Sequence, residues 1–120
     1  MNVDAYSITR KADARFKNEY GCRFVRYLPW NKPEPSNNGA ALSVIAPGGK
    51  SHAHAHDEYE FFYVCGGTGL FWVEDRSEMI QAGDAIWVQP NIQHHFENVS
   101  SIATLEVFSV WSTEKTGVGA

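Results

Sequence analysis

The stretch Gly48-Gly49-Lys50-Ser51-His52-Ala53-His54-Ala55-His56-Asp57-Glu58-Tyr59-Glu60-Phe61-Phe62-Tyr63-Val64-Cys65-Gly66-Gly67 sets three histidines and two glutamates between glycines, beside an aromatic, β-prone run. Side chains in a strand alternate faces, so His54 and His56 point the same way. A bend at Asp57-Glu58-Tyr59 leads into the next strand and can return Glu60 against the two rings. A fourth donor, His94, follows Gly83-Asp84-Ala85-Ile86-Trp87-Val88-Gln89-Pro90-Asn91-Ile92-Gln93 and can close the site from the opposite wall. Imidazole nitrogen suits iron, zinc, copper and nickel, and a carboxylate extends the choice to manganese. Three imidazoles and one carboxylate leave open positions on an octahedral metal, where substrate, water or dioxygen would bind.

Three other residues compete for the ion. His52 shares the parity of His54 and His56 but lies one residue pair further out, nearer a rim. Glu58 shares the parity of Glu60 but sits in the bend. His95 adjoins His94 and must face the other way. All three are read as non-ligands, with His52 the first exception, as a base or a rim contact to substrate. A lone His-x-His is a weak pointer to metal. Here four donors recur with glycines in a β-rich setting.

Outward from this stretch, the chain reads as short strands between turn residues. The expected strands are Cys22 to Leu28, Ala40 to Ala46, Tyr59 to Cys65, Leu70 to Glu74, Glu78 to Gln81, Asp84 to Gln89, His94 to Val99 and Ile102 to Trp111. Pro29 to Gly39 reads as a loop. The glycine-rich Gly66-Gly67-Thr68-Gly69 between two β-prone runs predicts a hairpin. Ile8 to Tyr20 can hold one short helical turn, with Phe16 and Tyr20 on one face. Such a pattern indicates an antiparallel barrel or jelly-roll sandwich. The divisions expected are an N-terminal arm over residues 1–21, a barrel domain over 22–112 and a fraying tail over 113–120.

The chain has 120 residues, 43% of them hydrophobic and 13% aromatic, which suits one globular domain with its own core. A formal charge of −4 with no basic patch argues against nucleic acid as a partner. No run of 18 apolar residues is present, so no membrane-spanning helix is expected. Residues 1–17 have no apolar core of a secretory signal, and the expected location is cytoplasmic. Of two cysteines, Cys65 falls in an apolar run and reads as a buried small hydrophobe, and no disulfide is needed.

The two glycine-framed segments resemble the two motifs of the cupin superfamily. The first, Gly-x5-His-x-His-x3-Glu-x6-Gly, is met by Gly48, His54, His56, Glu60 and Gly67 with every spacing kept. The second, Gly-x5-Pro-x-Gly-x2-His-x3-Asn, is met by Gly83, His94 and Asn98. Gln89 stands at its proline and Asn91 at its inner glycine. Asn tolerates the left-handed conformation that this glycine supplies. The motifs and the strands between them span residues 48–98. The resemblance implies an all-β, single-domain cupin jelly-roll β-barrel of the conserved-barrel metal-binding type. It places one divalent metal on His54, His56, Glu60 and His94, with Fe(II) favoured and Mn, Ni or Zn possible. It also implies a homodimer, for which Tyr20 to Trp30 would pack on the partner.

If Glu60 faces the metal, Phe62 and Val64 share its interior face, and Phe96 and Asn98 follow His94 by the same alternation. These four are the expected substrate pocket, although simple core is their plainer reading. Trp72, Trp87 and Trp111 read as core or dimer-face residues. The candidate catalytic bases are His52 and Tyr59, with Glu58 also in reach; Tyr63 has the wrong parity. The expected function is a metal-dependent enzyme acting on a small organic substrate, first as an Fe(II) oxygenase of dioxygenase type. The alternatives are a non-redox lyase, isomerase or cyclase, and a small-molecule binder without turnover.

Overall fold

Strict alternation of faces over Tyr59–Gly66 buries Glu60, Phe62 and Val64 and exposes Phe61, Tyr63 and Cys65. That strand sits inside a jelly-roll β-barrel. The computed structural model describes residues 5–28 and 38–113. Among them the strands are β1 (Lys17–Glu19), β2 (Cys22–Leu28), β3 (Asn38–Ile45), β4 (Tyr59–Gly66), β5 (Thr68–Val73), β6 (Arg76–Gln81), β7 (Ala85–Val88), β8 (His94–Asn98) and β9 (Leu105–Ser112). They form a six-stranded sheet in the order β1-β2-β3-β9-β4-β7 and a three-stranded sheet in the order β6-β5-β8. Most of the loop expected from Pro29 onward, and the tail beyond residue 113, lie outside the described residues.

The strands fall where alternation and turn residues placed them, with three corrections. The helical turn expected within Ile8 to Tyr20 is a single 3-10 turn at Lys11–Asp13. Beyond it, β1 pairs with β2 as a hairpin, so the expected arm contributes a sheet edge. Its two turn residues, Tyr20 and Gly21, hold φ of +55° and +78°, the paired left-handed geometry that matches strand twist.

The second correction concerns Gly66-Gly67-Thr68-Gly69. β4 and β5 are not partners; the chain crosses here from one sheet to the other. Gly67 holds φ of +89°, and a Cβ there would collide with the carbonyl oxygen of Thr104. The glycine therefore serves close backbone approach at a corner rather than a hairpin turn. The third is Cys65, which is exposed because it shares the outward parity of Phe61 and Tyr63; Cys22 is the buried thiol, and both are free.

Inward-facing side chains divide the barrel into two ends. At one end Ile45, Val64, Leu105 and Val107 from the large sheet meet Phe71, Ile80 and Phe96 from the small one. Fully burying a side chain of this size contributes roughly 1.5–3 kcal/mol. At the other end the inward positions are small. Ala41 faces Ser109, Ser109 faces Phe62, and Gly39 faces Trp111 across strand pairs. The Trp111 indole lies over the bare Gly39 backbone, where any Cβ would strike it. Ser109 and, on the same face of β3, Ser43 line a cavity toward that end.

Replacing Gly67 with Ala adds the collision to the left-handed strain and is expected to cost about 2–4 kcal/mol. Gly83→Ala carries a similar strain, at φ +98°, but its Cβ would meet nothing within 4 Å. Its cost should be only about 1–2 kcal/mol. Urea denaturation of both variants checks this, and equal midpoint shifts would refute the corner role of Gly67.

Candidate metal centre

His54 and His94 face each other as an isolated antiparallel bridge. The His54 amide donates to the His94 carbonyl at 3.2 Å, and the His94 amide donates back to the His54 carbonyl at 3.0 Å. This pairing sets their rings 4.9 Å apart. Each ring is anchored by its Nδ1. That of His54 lies 2.9 Å from the His52 carbonyl oxygen, and that of His94 lies 2.8 Å from the Ile92 carbonyl oxygen. A carbonyl only accepts, so Nδ1 carries the proton and Nε2 is left as the ligand nitrogen in both rings.

Glu60, the second residue of β4, reaches the same point. Its Oε1 lies 3.1 Å from His94 Nε2 and 2.9 Å from His56 Nε2. The four ligand atoms of His54, His56, Glu60 and His94 all lie within 4.8 Å of one another. Nitrogen and oxygen ligands about 2.0–2.2 Å from one ion stand at most roughly 4.4 Å apart, so a small inward shift would close the set. The donor chemistry and the prepared tautomers both fit a single transition metal ion. Asn91 holds φ of +64°, as its place in the second motif anticipated, and its amide donates to the His56 carbonyl at 2.7 Å.

The site's charges follow from burial and pairing. Burial alone would push the Glu60 carboxyl up, but hydrogen bonds and charge from His56 and His94 outweigh it and hold Glu60 below the usual carboxylate value. The hydrogen bond to Glu60 raises His56, against the pull of burial. Burial lowers His54, so this ring is neutral near pH 7. Burial also raises the Glu58 carboxyl, which the charge of His56 partly offsets.

The cavity beside these ligands has a volume of about 770 Å³. Its apolar wall includes Phe24, Ile45, Phe62, Phe96 and Trp111. Its polar flank includes Lys17, Tyr20, Arg26 and Glu58. Of the four residues expected to form the pocket, Phe62 and Phe96 line it. Val64 instead fills the core at 0% exposure. Asn98 is also displaced from the expected role. Its amide donates to the Ile45 and Ala103 carbonyls at 3.0 and 2.8 Å, and its side-chain oxygen accepts from the Ser100 amide. It clamps a strand end.

Both catalytic candidates also lie away from the cavity wall. His52 is exposed, its ring against Gly21, and its amide donates to the Tyr20 carbonyl at 2.7 Å. Tyr59 has outward parity and stacks on Trp87 at 5.6 Å. His95 stacks on Trp72 at 5.8 Å, on the face opposite His94. Glu58, read from the sequence as a bend residue and non-ligand in reach as a base, is half-buried and lines the cavity. Trp111 lines it too, because it pairs with Glu60 across the sheet and so shares its face.

Tyr20 was the residue least visible beforehand. It stacks on His54 with ring centres 5.5 Å apart, and its hydroxyl accepts a hydrogen bond from Arg26 Nη2 at 3.3 Å. The signal that could have found it is the Tyr20-Gly21 pair, a turn dipeptide between β-prone runs.

The family model for the cupin domain matches residues 41–111. This chain belongs to the cupin family. The cupin is similar to an uncharacterised protein of Methanocaldococcus jannaschii, 27% identical over 63 residues, which is 52% of this chain and 50% of that protein. The chain thus matches about half the length of that curated relative. Among solved structures it resembles a Cupin 2 conserved barrel domain protein from Salinispora arenicola, with TM-score 0.72, 23% identity, and coverage of 92% of this chain and 90% of that one. It resembles a predicted oxalate decarboxylase from Thermotoga maritima, with TM-score 0.74, 20% identity, and coverage of 88% and 98%. A third likeness is to the polyketide cyclase RemF of Streptomyces resistomycificus, with TM-score 0.74, 18% identity, and coverage of 91% and 80%. At these identities the likenesses establish the barrel.

The ionisation pattern gives a pH test. Without metal, the raised His56 adds stability that is full below the ordinary imidazole value of 6.5 and lost as pH rises through its raised value. The lowered Glu60 adds stability that is full above the ordinary carboxylate value of 4.5 and lost as pH falls through its lowered value. The pair therefore helps the metal-free barrel most between those two ordinary values. A metal must displace the His56 proton, so metal-induced stabilisation should grow with pH until His56 is neutral. Thermal melts with and without zinc from pH 5 to 8 measure this, and a metal-induced shift independent of pH would contradict the assignment.

Proposed function

We propose that this cupin is a metal-dependent enzyme whose small organic substrate binds at the metal centre. The observation that carries this reading is the convergence of three imidazoles and a carboxylate on the wall of a cavity of about 770 Å³. That volume is in the range of pockets for drug-sized molecules, roughly 300–1,000 Å³. His54, His56, Glu60 and His94 would hold the ion. Once bound, it would supply Lewis acidity or, as iron(II), redox chemistry with dioxygen.

The chain's own groups do the remaining work. Phe24, Phe62 and Phe96 keep water from one side of the site. Lys17 on the polar flank favours a substrate with negative or carbonyl character, whereas Arg26 there is paired with Glu19 at 2.9 Å. The carboxylate of Glu60 lowers the net charge of the centre and suits iron or manganese. This donor set and the apolar wall support an Fe(II) oxygenase as the first reading.

Tyr20 supports a second, non-redox reading as a lyase, isomerase or cyclase. Its hydroxyl accepts from Arg26, which leaves its own O–H to donate beside the His54 ring. A Lewis-acid metal would polarise a carbonyl while Tyr20 moves a proton. The likeness in fold to proteins named as a decarboxylase and a cyclase is compatible with such chemistry.

Metal analysis after anaerobic purification, followed by oxygen uptake with small carbonyl and carboxylate compounds, separates the readings. Iron occupancy with substrate-dependent oxygen uptake is the result expected of the oxygenase. Turnover with zinc or nickel and no oxygen demand would overturn it, and loss of that turnover in Tyr20→Phe would then support the second reading. Ligand binding without turnover under either condition would make the protein a binding module. In all cases His56→Ala and Glu60→Gln should weaken metal binding by more than the roughly 10–100-fold that outer partners of metal ligands command.

A further inference from the structure

The three histidines of the centre are not anchored alike. His54 and His94 each place Nδ1 against the carbonyl oxygen two residues earlier, that of His52 and of Ile92. The equivalent acceptor for His56 is the carbonyl of His54. That oxygen accepts the His94 amide at 3.0 Å, in the backbone bridge that joins the two halves of the site, and His56 Nδ1 makes no hydrogen bond to it. His56 Nδ1 is shielded from water and has no aligned hydrogen-bond partner. One acceptor lies in reach: Glu58 Oε1, 3.1 Å away but off the line of the N–H.

A metal bound at His56 Nε2 requires the proton on Nδ1, and a buried N–H without an acceptor is costly. We infer that Glu58 is a positioning residue for the metal centre, accepting the Nδ1 proton of His56 and so presenting its Nε2 to the ion. Glu58 replaces the backbone carbonyl that serves the other two rings. Glu58 lies two positions after His56 and two before Glu60, so one bend delivers both the ligand and the support of its neighbour. This inference rests on the proposed metal reading.

The test is zinc(II) and manganese(II) affinity of the full chain, measured by competition with a fluorescent chelator. Glu58→Ala is expected to weaken both metals by about 10–100-fold. Glu58→Gln, which keeps an acceptor but loses the charge, should fall between that variant and the unaltered protein. Nitrogen NMR of the zinc-loaded protein should show His56 protonated at Nδ1, with that signal altered in Glu58→Ala while those of His54 and His94 stay. Affinities within twofold of the unaltered chain in both variants would overturn the role of Glu58 and leave the metal centre standing. Failure of the unaltered chain to bind either metal would overturn the metal reading as well. If Glu58→Ala does not fold, Glu58→Gln alone decides, since an unchanged affinity and NMR spectrum there would refute a charged acceptor.

Discussion

The short backbone bridge between His54 and His94 is the constraint on which the site depends. It joins segments forty residues apart with two amide–carbonyl bonds, at 3.2 and 3.0 Å. Backbone pairing fixes position more tightly than two side chains could, because it leaves no rotamers to search. Beside it, the His52 and Ile92 oxygens orient two of the rings, while the His54 oxygen accepts the His94 amide and makes no hydrogen bond to His56 Nδ1.

The barrel around the bridge divides its labour by side-chain volume. Where Val64, Leu105 and Val107 point inward, the two sheets close on each other. Toward the end where Ser43 and Ser109 point inward, a cavity opens. Both ends are read from the same strands, since β3 and β9 run through each. Stability and function are thereby separated along the strand direction. A volume change at the closed end would be felt in folding, and one at the open end in what the cavity admits.

Glu60 holds the site together electrically. Its carboxylate is buried, a costly placement in itself, yet it lies 2.9 and 3.1 Å from the ring nitrogens of His56 and His94 and its pKa is held down. This shared carboxylate draws the two rings toward one point. Phe62 and Phe71, packed against the His94 ring at 5.5 and 6.1 Å, keep that ring from rotating away.

Much of this was legible in the chain. The period-two alternation assigned Glu60, Phe62 and Val64 to one face and Phe61 and Tyr63 to the other, because pleat geometry is local. The spacing of His54, His56, Glu60 and His94 marked them as one donor set, and Asn91 announced its left-handed backbone by its residue type. What alternation could not supply was depth along the barrel axis. Val64 and Asn98 share a face with ligands yet lie too far toward the closed end to meet the cavity. Nor could it supply partners: Tyr20 reaches His54 only because the β1–β2 hairpin folds over the site, and Trp111 reaches the cavity only through its register with Glu60 and Gly39. The chain by itself determined which side chains face inward and which could bind a metal, since both depend on nearest neighbours. The tertiary structure alone decided which inward residues line the cavity and that His54 faces His94 across a backbone bridge, since those depend on long-range pairing.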